Sequence, residues 1–275
     1  MNGTPDGRWS RLTQHLALGL EPVDAPRRAR IAHALEVAFD GAPLAPPRSR
    51  RDPSLPAWTP QDVRERVART DSCRHVLRWR ASLGPAVDLR ILDLSRRFVP
   101  RRLSIALPAA PVMGRICRPA LLPGAAYDVP AGSVGVRGRV TLGADGPPVR
   151  WVRAVARRPG GGAVVGCAHG DDRGEFLLLL DAGAAAGADL ILPIAVEVTV
   201  FGPDPPSTEA DPADPYADLP LEATALPADP GELLRPGADA VLDGTELPGG
   251  YGPLAGPVDV ECGLDGLVSV EFVLS

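Results

Sequence analysis

Lysine is absent from this 275-residue chain, so all 29 basic residues are arginine, and Asn2 is the only asparagine. Without lysine the chain can form no lysine Schiff base, and it cannot build a Walker-type phosphate loop, whose lysine reaches the phosphates. Aromatic residues are also few, at 4% of the sequence. The absence of lysine therefore excludes enzymes that use a lysine Schiff base and nucleotide-binding enzymes that use a Walker lysine.

Cysteine is scarce and widely spaced. The four cysteines are Cys73, Cys117, Cys167 and Cys262. No C-x-x-C pair occurs among them, so their spacing predicts neither a zinc knuckle nor a thioredoxin-type site, and we expect four buried, reduced thiols.

Long uninterrupted apolar runs are missing as well. The N-terminal residues lack the apolar segment of a signal peptide, which predicts a cytoplasmic product. The one membrane-like stretch, residues 176–201, is interrupted by Asp181, Asp189 and Pro193. An aspartate in the middle of a membrane span costs about 2.5 to 3.5 kcal/mol, so we expect two buried strands there, not a span.

Charge is unevenly divided along the chain. Residues 1–160 hold 27 arginines against 13 acidic residues, and residues 161–275 hold 2 against 21, within a net charge of −5. This division is compatible with polyanion or nucleic-acid binding by the first half, with attraction between the two halves, or with head-to-tail stacking of copies. No recognised nucleic-acid motif or interleaved aromatic pattern accompanies the arginines, which argues against the first alternative.

Glycine and proline are abundant, at 30 and 32 residues, which favours short strands joined by turns. We therefore predict a mainly β chain with two antiparallel β-sandwich segments in tandem and a short N-terminal helical hairpin. The predicted parts are a helical segment (1–45), a Pro/Arg-rich linker (46–60), a first β segment (61–130) and a second β segment (131–275) that contains an acidic, proline-rich exposed loop (202–220).

The helical hairpin is predicted over residues 8–40 from apolar residues at helical spacing. These residues are Trp9, Leu12, Leu16, Leu20, Ile31, Leu35 and Phe39. In the first β segment, strands are predicted near residues 63–70, 75–80, 87–92 and 103–107. At the end of the chain, residues 258–262 and 267–274 flank a glycine-containing turn and predict a closing β-hairpin.

Residues 134–180 carry the clearest β pattern. Val136 and Val140 share one face of a period-two strand, turns follow at Gly146-Pro147-Pro148 and at residues 171–174, and an apolar run starts at Phe176. The glycine-rich stretch 160–166 is predicted to be a hairpin and not a phosphate-binding loop, because no GK[ST] sequence follows it.

This part of the chain, about residues 133–201, resembles the carboxypeptidase regulatory-like, or prealbumin-like, β-sandwich domain. The matching positions are Gly138-Arg139-Val140, Gly146-Pro147-Pro148-Val149 and Asp172-Arg173-Gly174-Glu175-Phe176. Two positions depart from that family: Arg150-Trp151 stands where a small Gly-Ala pair is usual, and the closing Pro-Gly-x-Tyr is absent near residues 188–190. The resemblance implies a sandwich of about seven strands that acts as a rigid spacer or docking surface.

Residues 93–103, Asp-Leu-Ser-Arg-Arg-Phe-Val-Pro-Arg-Arg-Leu, are followed by that regulatory-like segment. This order resembles accessory proteins of phage-tail-like contractile injection particles of bacteria. The predicted partner-binding patch is Arg96, Arg97, Phe98, Arg101 and Arg102. Arginine is enriched at interfaces because its planar guanidinium group pairs bidentately and stacks, although simple solvation of these side chains is an equal alternative.

We accordingly predict a non-enzymatic structural or docking protein with a protein partner, no cofactor, no metal and no catalytic residue. The alternative functions are polyanion or nucleic-acid binding by the arginine-rich N-terminal half, and a zinc-dependent hydrolase in which the H-x-x-E pair His33 and Glu36 would be joined by His169. The sequence His169-Gly170-Asp171-Asp172 could also pair a base with an orienting carboxylate, but a turn between strands accounts for all four residues. The aspartates between residues 204 and 218 fit a solvated loop better than a calcium site, because they lack EF-hand spacing.

Overall fold

The computed structural model describes residues 16–40, 67–70, 74–78, 83–107, 116–181, 193–224, 247–263 and 266–274. In this part of the chain the regular elements are β-strands arranged in several sheets, and no helix occurs. The prediction of a mainly β chain is confirmed. Nothing in the described ranges is a helix long and apolar enough to cross a membrane.

The strands fall into an N-terminal and a C-terminal group. Those of the first group are β1 (Leu16–Leu20), β2 (Val23–Asp24), β3 (Ala29–Arg30), β4 (Glu36–Phe39), β5 (Ala68–Arg69), β6 (His75–Arg78), β7 (Ala86–Leu92), β8 (Arg101–Ala106), β9 (Ile116–Cys117) and β10 (Ala120–Leu121). Those of the second are β11 (Gly135–Leu142), β12 (Arg153–Arg157), β13 (Val164–His169), β14 (Glu175–Leu179), β15 (Ile194–Pro203), β16 (Leu221–Thr224), β17 (Tyr251–Pro253), β18 (Val258–Cys262) and β19 (Leu267–Leu274).

The predicted N-terminal helical hairpin is wrong for residues 16–40, and residues 8–15 lie outside the described part. β1 pairs antiparallel with β6 and parallel with β9, so its backbone hydrogen bonds go to distant strands. Leu18 and Leu20 are fully buried, whereas Leu16, which the helical pattern places on the same face as Leu20, is exposed. Long-range pairing has overridden the local periodicity, as tertiary context often does.

The N-terminal group forms three small sheets, with strand orders β5-β6-β1-β9, β10-β2-β3 and β16-β8-β7-β4. Strands occur at all four places predicted in the first β segment, as β5 to β8; β5 and β6 are shorter than predicted, whereas β7 and β8 begin one and two residues earlier. Their shared core contains Leu18, Leu89, Ile91 and Leu103. One strand of the third sheet, β16, comes from far along the chain and pairs parallel with β8. Backbone hydrogen bonds therefore join the C-terminal residues to the N-terminal group.

The C-terminal group forms two sheets that share a second core. One has the order β14-β11-β19, and in the other β13, β12 and β15 lie side by side, with β17 and β18 both pairing with β15. Val136, Phe176 and Phe272 of the first sheet pack with Val198 and Val260 of the second. The predicted strand and turn pattern of residues 134–180 is confirmed.

The glycine hairpin predicted at residues 160–166 is confirmed between β12 and β13. Gly160 and Gly161 have φ angles of 77° and 73°, which side-chain-bearing residues rarely adopt. The turn closes through hydrogen bonds from the Arg158 amide to the Ala163 carbonyl (3.1 Å) and from the Gly162 amide to the Arg158 carbonyl (3.0 Å). These glycines are therefore explained by the backbone conformation of the turn.

The predicted closing hairpin is wrong in its pairing, although both of its strands exist. β18 pairs antiparallel with β15, and β19 pairs parallel with β11, so the two strands belong to different sheets. Cys262 and Phe272 enter the same core from these two sheets. Burying the apolar face of each strand against the other sheet outweighs a local hairpin.

Candidate functional site at the junction of the two groups

A short loop of residues 93–98 follows β7 and projects where the two strand groups meet. Its anchor is Asp93, whose carboxylate accepts hydrogen bonds from the Ser95 amide (3.0 Å), the Ser95 hydroxyl (2.6 Å) and the Phe98 amide (3.0 Å). Aspartate commonly fixes turns in this way. The turn leaves the Leu94 side chain at the surface, 71% exposed.

Arg96 ties this loop to the C-terminal group. Its guanidinium donates two hydrogen bonds to the carboxylate of Asp172, at 3.0 and 3.2 Å. Its backbone has a φ of 57°, in the left-handed region. Beneath the loop, Gly124 donates from its amide to the Arg97 carbonyl (2.8 Å), and a Cβ at position 124 would lie 2.6 Å from the Arg96 carbonyl oxygen. A glycine is needed there to let the loop approach.

Trp151 is the second residue with an unfavourable backbone at this junction. Its φ is 57° and its side chain is buried; for so bulky a residue this conformation is an outlier. The conformation is held by hydrogen bonds from the Trp151 amide to the Asp171 carbonyl (3.2 Å), and from the Tyr251 hydroxyl (2.8 Å) and the Arg153 guanidinium (3.0 Å) to the Trp151 carbonyl. Such strain costs about 1 to 3 kcal/mol and concentrates at functional sites.

Between the loop and Trp151 lies a cleft of about 240 Å³, which we call the junction cleft. Its lining includes Leu94, Arg96, Phe98, Trp151, Asp171 and Tyr216. Among the described residues three non-glycine residues have positive φ, and two of them, Arg96 and Trp151, line this cleft. Burial raises the pKa of Asp171, although the amides of Arg173 and Glu175 partly offset that effect.

Behind the cleft, a buried carboxylate joins the two groups. Glu222 on β16 accepts from Arg101 on β8, with Nε at 2.7 Å, and from Arg153 on β12, with Nη2 at 2.5 Å. Burial alone raises the pKa of Glu222, but the two guanidinium groups outweigh burial and lower it to about 2. Glu222 is therefore an anion that links the sheets of both groups.

Part of the charge division along the sequence is used in ion pairs within the molecule. Acidic residues after position 160 pair with arginines before it: Arg90–Asp214, Arg96–Asp172, Arg101–Glu222, Arg150–Asp218 and Arg153–Glu222. This arrangement corresponds to the alternative in which the two halves attract one another.

The acidic segment 202–220 is a loop beyond the end of β15 at Pro203, but it is not wholly exposed as predicted. Its tip is exposed, whereas Asp214 and Asp218 are half-buried because each contacts an arginine at 2.7 Å. Leu219 is buried. The segment is thereby fastened onto the rest of the protein.

The five residues of the predicted arginine patch do not share one surface. Arg96 is about half exposed, and Arg97 and Arg102 are partly exposed, with Arg102 held by Asp40 at 2.8 Å. Phe98 and Arg101 are buried. On β8 the side chains of Arg101 and Leu103 face inward and that of Arg102 faces outward, as strand alternation requires. Only the loop end of the patch is available to a partner.

The residues predicted for the alternative zinc site are not brought together. His33 Nε2 lies 3.2 Å from Asp93 Oδ2, and its ring stacks on Phe98 with the centroids 5.5 Å apart. Glu36 lies on β4, and His169 is buried on β13. Within the described ranges, no three His, Cys, Asp or Glu side chains are grouped so that they could hold a metal.

His169 lies in the buried charged region near Arg153 and Glu222. Burial, and then the positive charge of Arg153, lower the pKa of His169 well below its ordinary value. In the described part of the chain neither ring nitrogen of His169 has a hydrogen-bond partner. His169 is therefore a neutral side chain in the interior.

Three residues of this junction, Leu94, Trp151 and Glu222, were not predicted as site residues. For Trp151 the sequence does hold a signal, because Arg150-Trp151 departs from the small Gly-Ala pair of the domain that the segment resembles. Arg150 pairs with Asp218, and Trp151 lines the cleft. The chain matches no family model, no curated protein and no solved structure in the comparisons made.

Proposed function

We propose that this chain is a non-enzymatic docking protein, built from two β-sandwich segments in tandem, that contacts a protein partner through the junction cleft and its 93–98 loop. The observation that carries the proposal is the exposure of Leu94, at 71%, on a loop that buried Asp93 holds in place. A large apolar side chain on a fixed loop beside a concave surface is a favourable protein contact.

The cleft is also pre-organised for binding. Strained backbone at Arg96 and Trp151 is maintained by hydrogen bonds and ion pairs from both strand groups. A surface fixed before binding loses little conformational entropy when a partner docks. This rigidity supports a role as a spacer or docking surface, which the resemblance to the carboxypeptidase regulatory-like domain also implies.

In this proposal the protein partner is a component of a phage-tail-like contractile injection particle. The 93–103 segment, which resembles accessory proteins of such particles, is the segment that forms the exposed loop and then enters β8. The segment that resembles the accessory proteins therefore contains the exposed loop. We infer that the chain is an accessory structural component held on the particle by the loop end of this segment.

The proposal is tested with a double variant of the loop, Leu94→Ser with Arg96→Glu, expressed in the native cells in place of the wild type. Particles are sedimented, and the amount of the chain that co-sediments is measured. A matched control is Leu16→Ser with Arg78→Glu, because these residues are also an exposed leucine and an exposed arginine, opposite each other on β1 and β6.

We expect the control to co-sediment like the wild type and the loop variant to remain in the supernatant, although circular dichroism shows that the variant is folded. Equal co-sedimentation of both variants would remove the loop from the proposal. If the wild-type chain does not sediment with the particles, the proposal that it is a component of such a particle is wrong. Arg101 is unsuitable for this experiment because its substitution breaks the buried contact with Glu222.

A further inference from the structure

Strand β19 lies at the edge of its sheet in the described part of the chain. It pairs with β11 on one side, and no strand in the described part of the chain pairs with its other side. The Gly143 amide donates to the Leu274 carbonyl at 2.8 Å, so the backbone groups of Leu274 face β11. Because these groups alternate in direction along a strand, those of Leu267, Ser269, Glu271 and Val273 face outward.

Within the described residues, this edge lacks the usual protection against pairing with another chain. Proteins blunt exposed edges with charges, proline or bulges. The neighbouring edge strand β18 follows that rule, since its five residues include exposed Asp259 and Glu261. The eight residues of β19, by contrast, carry a single charge, on Glu271, and Val273 is 50% exposed. This difference makes the β19 edge a candidate for pairing with another strand.

We propose that this partner is β19 of a second copy of the chain, paired antiparallel about a two-fold axis centred on Val270. The β14-β11-β19 sheets of the two copies then form one continuous sheet. Closed two-fold contacts of this kind use the same surface on both copies, so the strand must be complementary to itself.

The sequence of β19 is self-complementary about an axis at Val270. In such a pair, the residues whose backbone groups point away from β11 must lie opposite each other. Because these residues alternate along the strand, the two-fold axis passes through a residue and not between two residues. An axis at Glu271 places the two Glu271 carboxylates opposite each other, which is destabilising. An axis at Val270 instead places Glu271 opposite Ser269, Val273 opposite Leu267, and Phe272 opposite Val268. The hydroxyl of Ser269 can then donate to the carboxylate of Glu271 across the pair.

The register makes a charge-specific test possible. Sedimentation velocity over a concentration series measures the dimer, whose mass is about twice the 28.7 kDa of one chain. Ser269→Glu places a glutamate opposite each Glu271, and we expect the dissociation constant to rise about tenfold or more. Ser269→Thr, which adds no charge and suits a strand, is the matched control and leaves the dimer intact.

Adding Glu271→Arg to Ser269→Glu places opposite charges in both pairs and restores the dimer. A wild-type chain that stays monomeric at about 100 µM overturns the proposal, since specific dimers form well below this concentration. A dimer that tolerates Ser269→Glu as well as Ser269→Thr overturns the β19 contact. Dissociation by Ser269→Glu without rescue by Glu271→Arg overturns the register. Circular dichroism of each variant shows that the fold is retained.

Discussion

Replacing Glu222 by glutamine removes the negative charge between the buried guanidinium groups of Arg101 and Arg153 while keeping nearly the same shape. The two guanidinium groups lower the pKa of Glu222 from its ordinary value of 4.5 to about 2. One unit of pKa corresponds to about 1.4 kcal/mol, so the anion stabilises the folded state by about 3 kcal/mol at neutral pH. This agrees with the about 3 to 5 kcal/mol lost when a buried ion pair loses one partner.

The assay is equilibrium unfolding in urea at pH 7, and the free energy of unfolding is compared between the wild type and Glu222→Gln. The control is Asp172→Asn, because Asp172 pairs with Arg96 at the surface, where an ion pair contributes about 1 kcal/mol or less. We expect a loss of about 3 kcal/mol for Glu222→Gln and of less than about 1 kcal/mol for the control.

The pH dependence gives a second readout of the same contact. Because the folded pKa of Glu222 lies below its unfolded value, its stabilisation is fully present above pH 4.5 and is lost as the pH falls towards 2. The difference between the wild type and Glu222→Gln should shrink over this range. A loss similar to that of Asp172→Asn at pH 7, or a difference that persists at low pH, would refute the reasoning.

Two further substitutions probe the interior and the loop. Burial, and then the charge of Arg153, lower the pKa of His169 well below 6.5, so the wild type loses stability as the pH falls below that value. Between pH 7 and pH 5 we expect it to lose more stability than His169→Leu, and parallel stability curves of the two proteins would contradict this. Gly124→Ala places a Cβ 2.6 Å from the Arg96 carbonyl oxygen. We expect the free energy of unfolding to fall by about 1 to 3 kcal/mol and docking to weaken. An unchanged melting temperature would show that the loop does not need glycine there.

The sequence was most informative where period-two patterns and turn residues act locally. The strands between residues 134 and 180 and the glycine turn at residues 160–162 follow directly from such patterns. The same local logic failed in residues 16–40, because β1 is stabilised by pairing with β6 and β9, which lie far away in the sequence. The closing hairpin failed for a related reason, since its two strands pair with β15 and β11.

The site depends even more on long-range contacts. Arg101 and Glu222 are separated by 121 residues, and nothing in the local sequence of either predicts the other. The arginine patch was drawn along a continuous segment, but β8 turns Arg101 inward and the preceding loop turns Arg96 outward. Charge division predicted that acids and arginines of the two halves could attract each other. The particular pairs depend on how the sheets come together.

The most direct test of the proposed docking function is hydrogen exchange on the chain, measured free and bound to any particle component that co-sediments with it. We predict slower exchange on binding at the amides of residues 94–98 and 124–126, which form the 93–98 loop and its support. Exchange at β1 and β6, where the control substitutions lie, should not change. Protection confined to β1 and β6, with none at the loop, would contradict the proposal that this chain docks through the junction cleft.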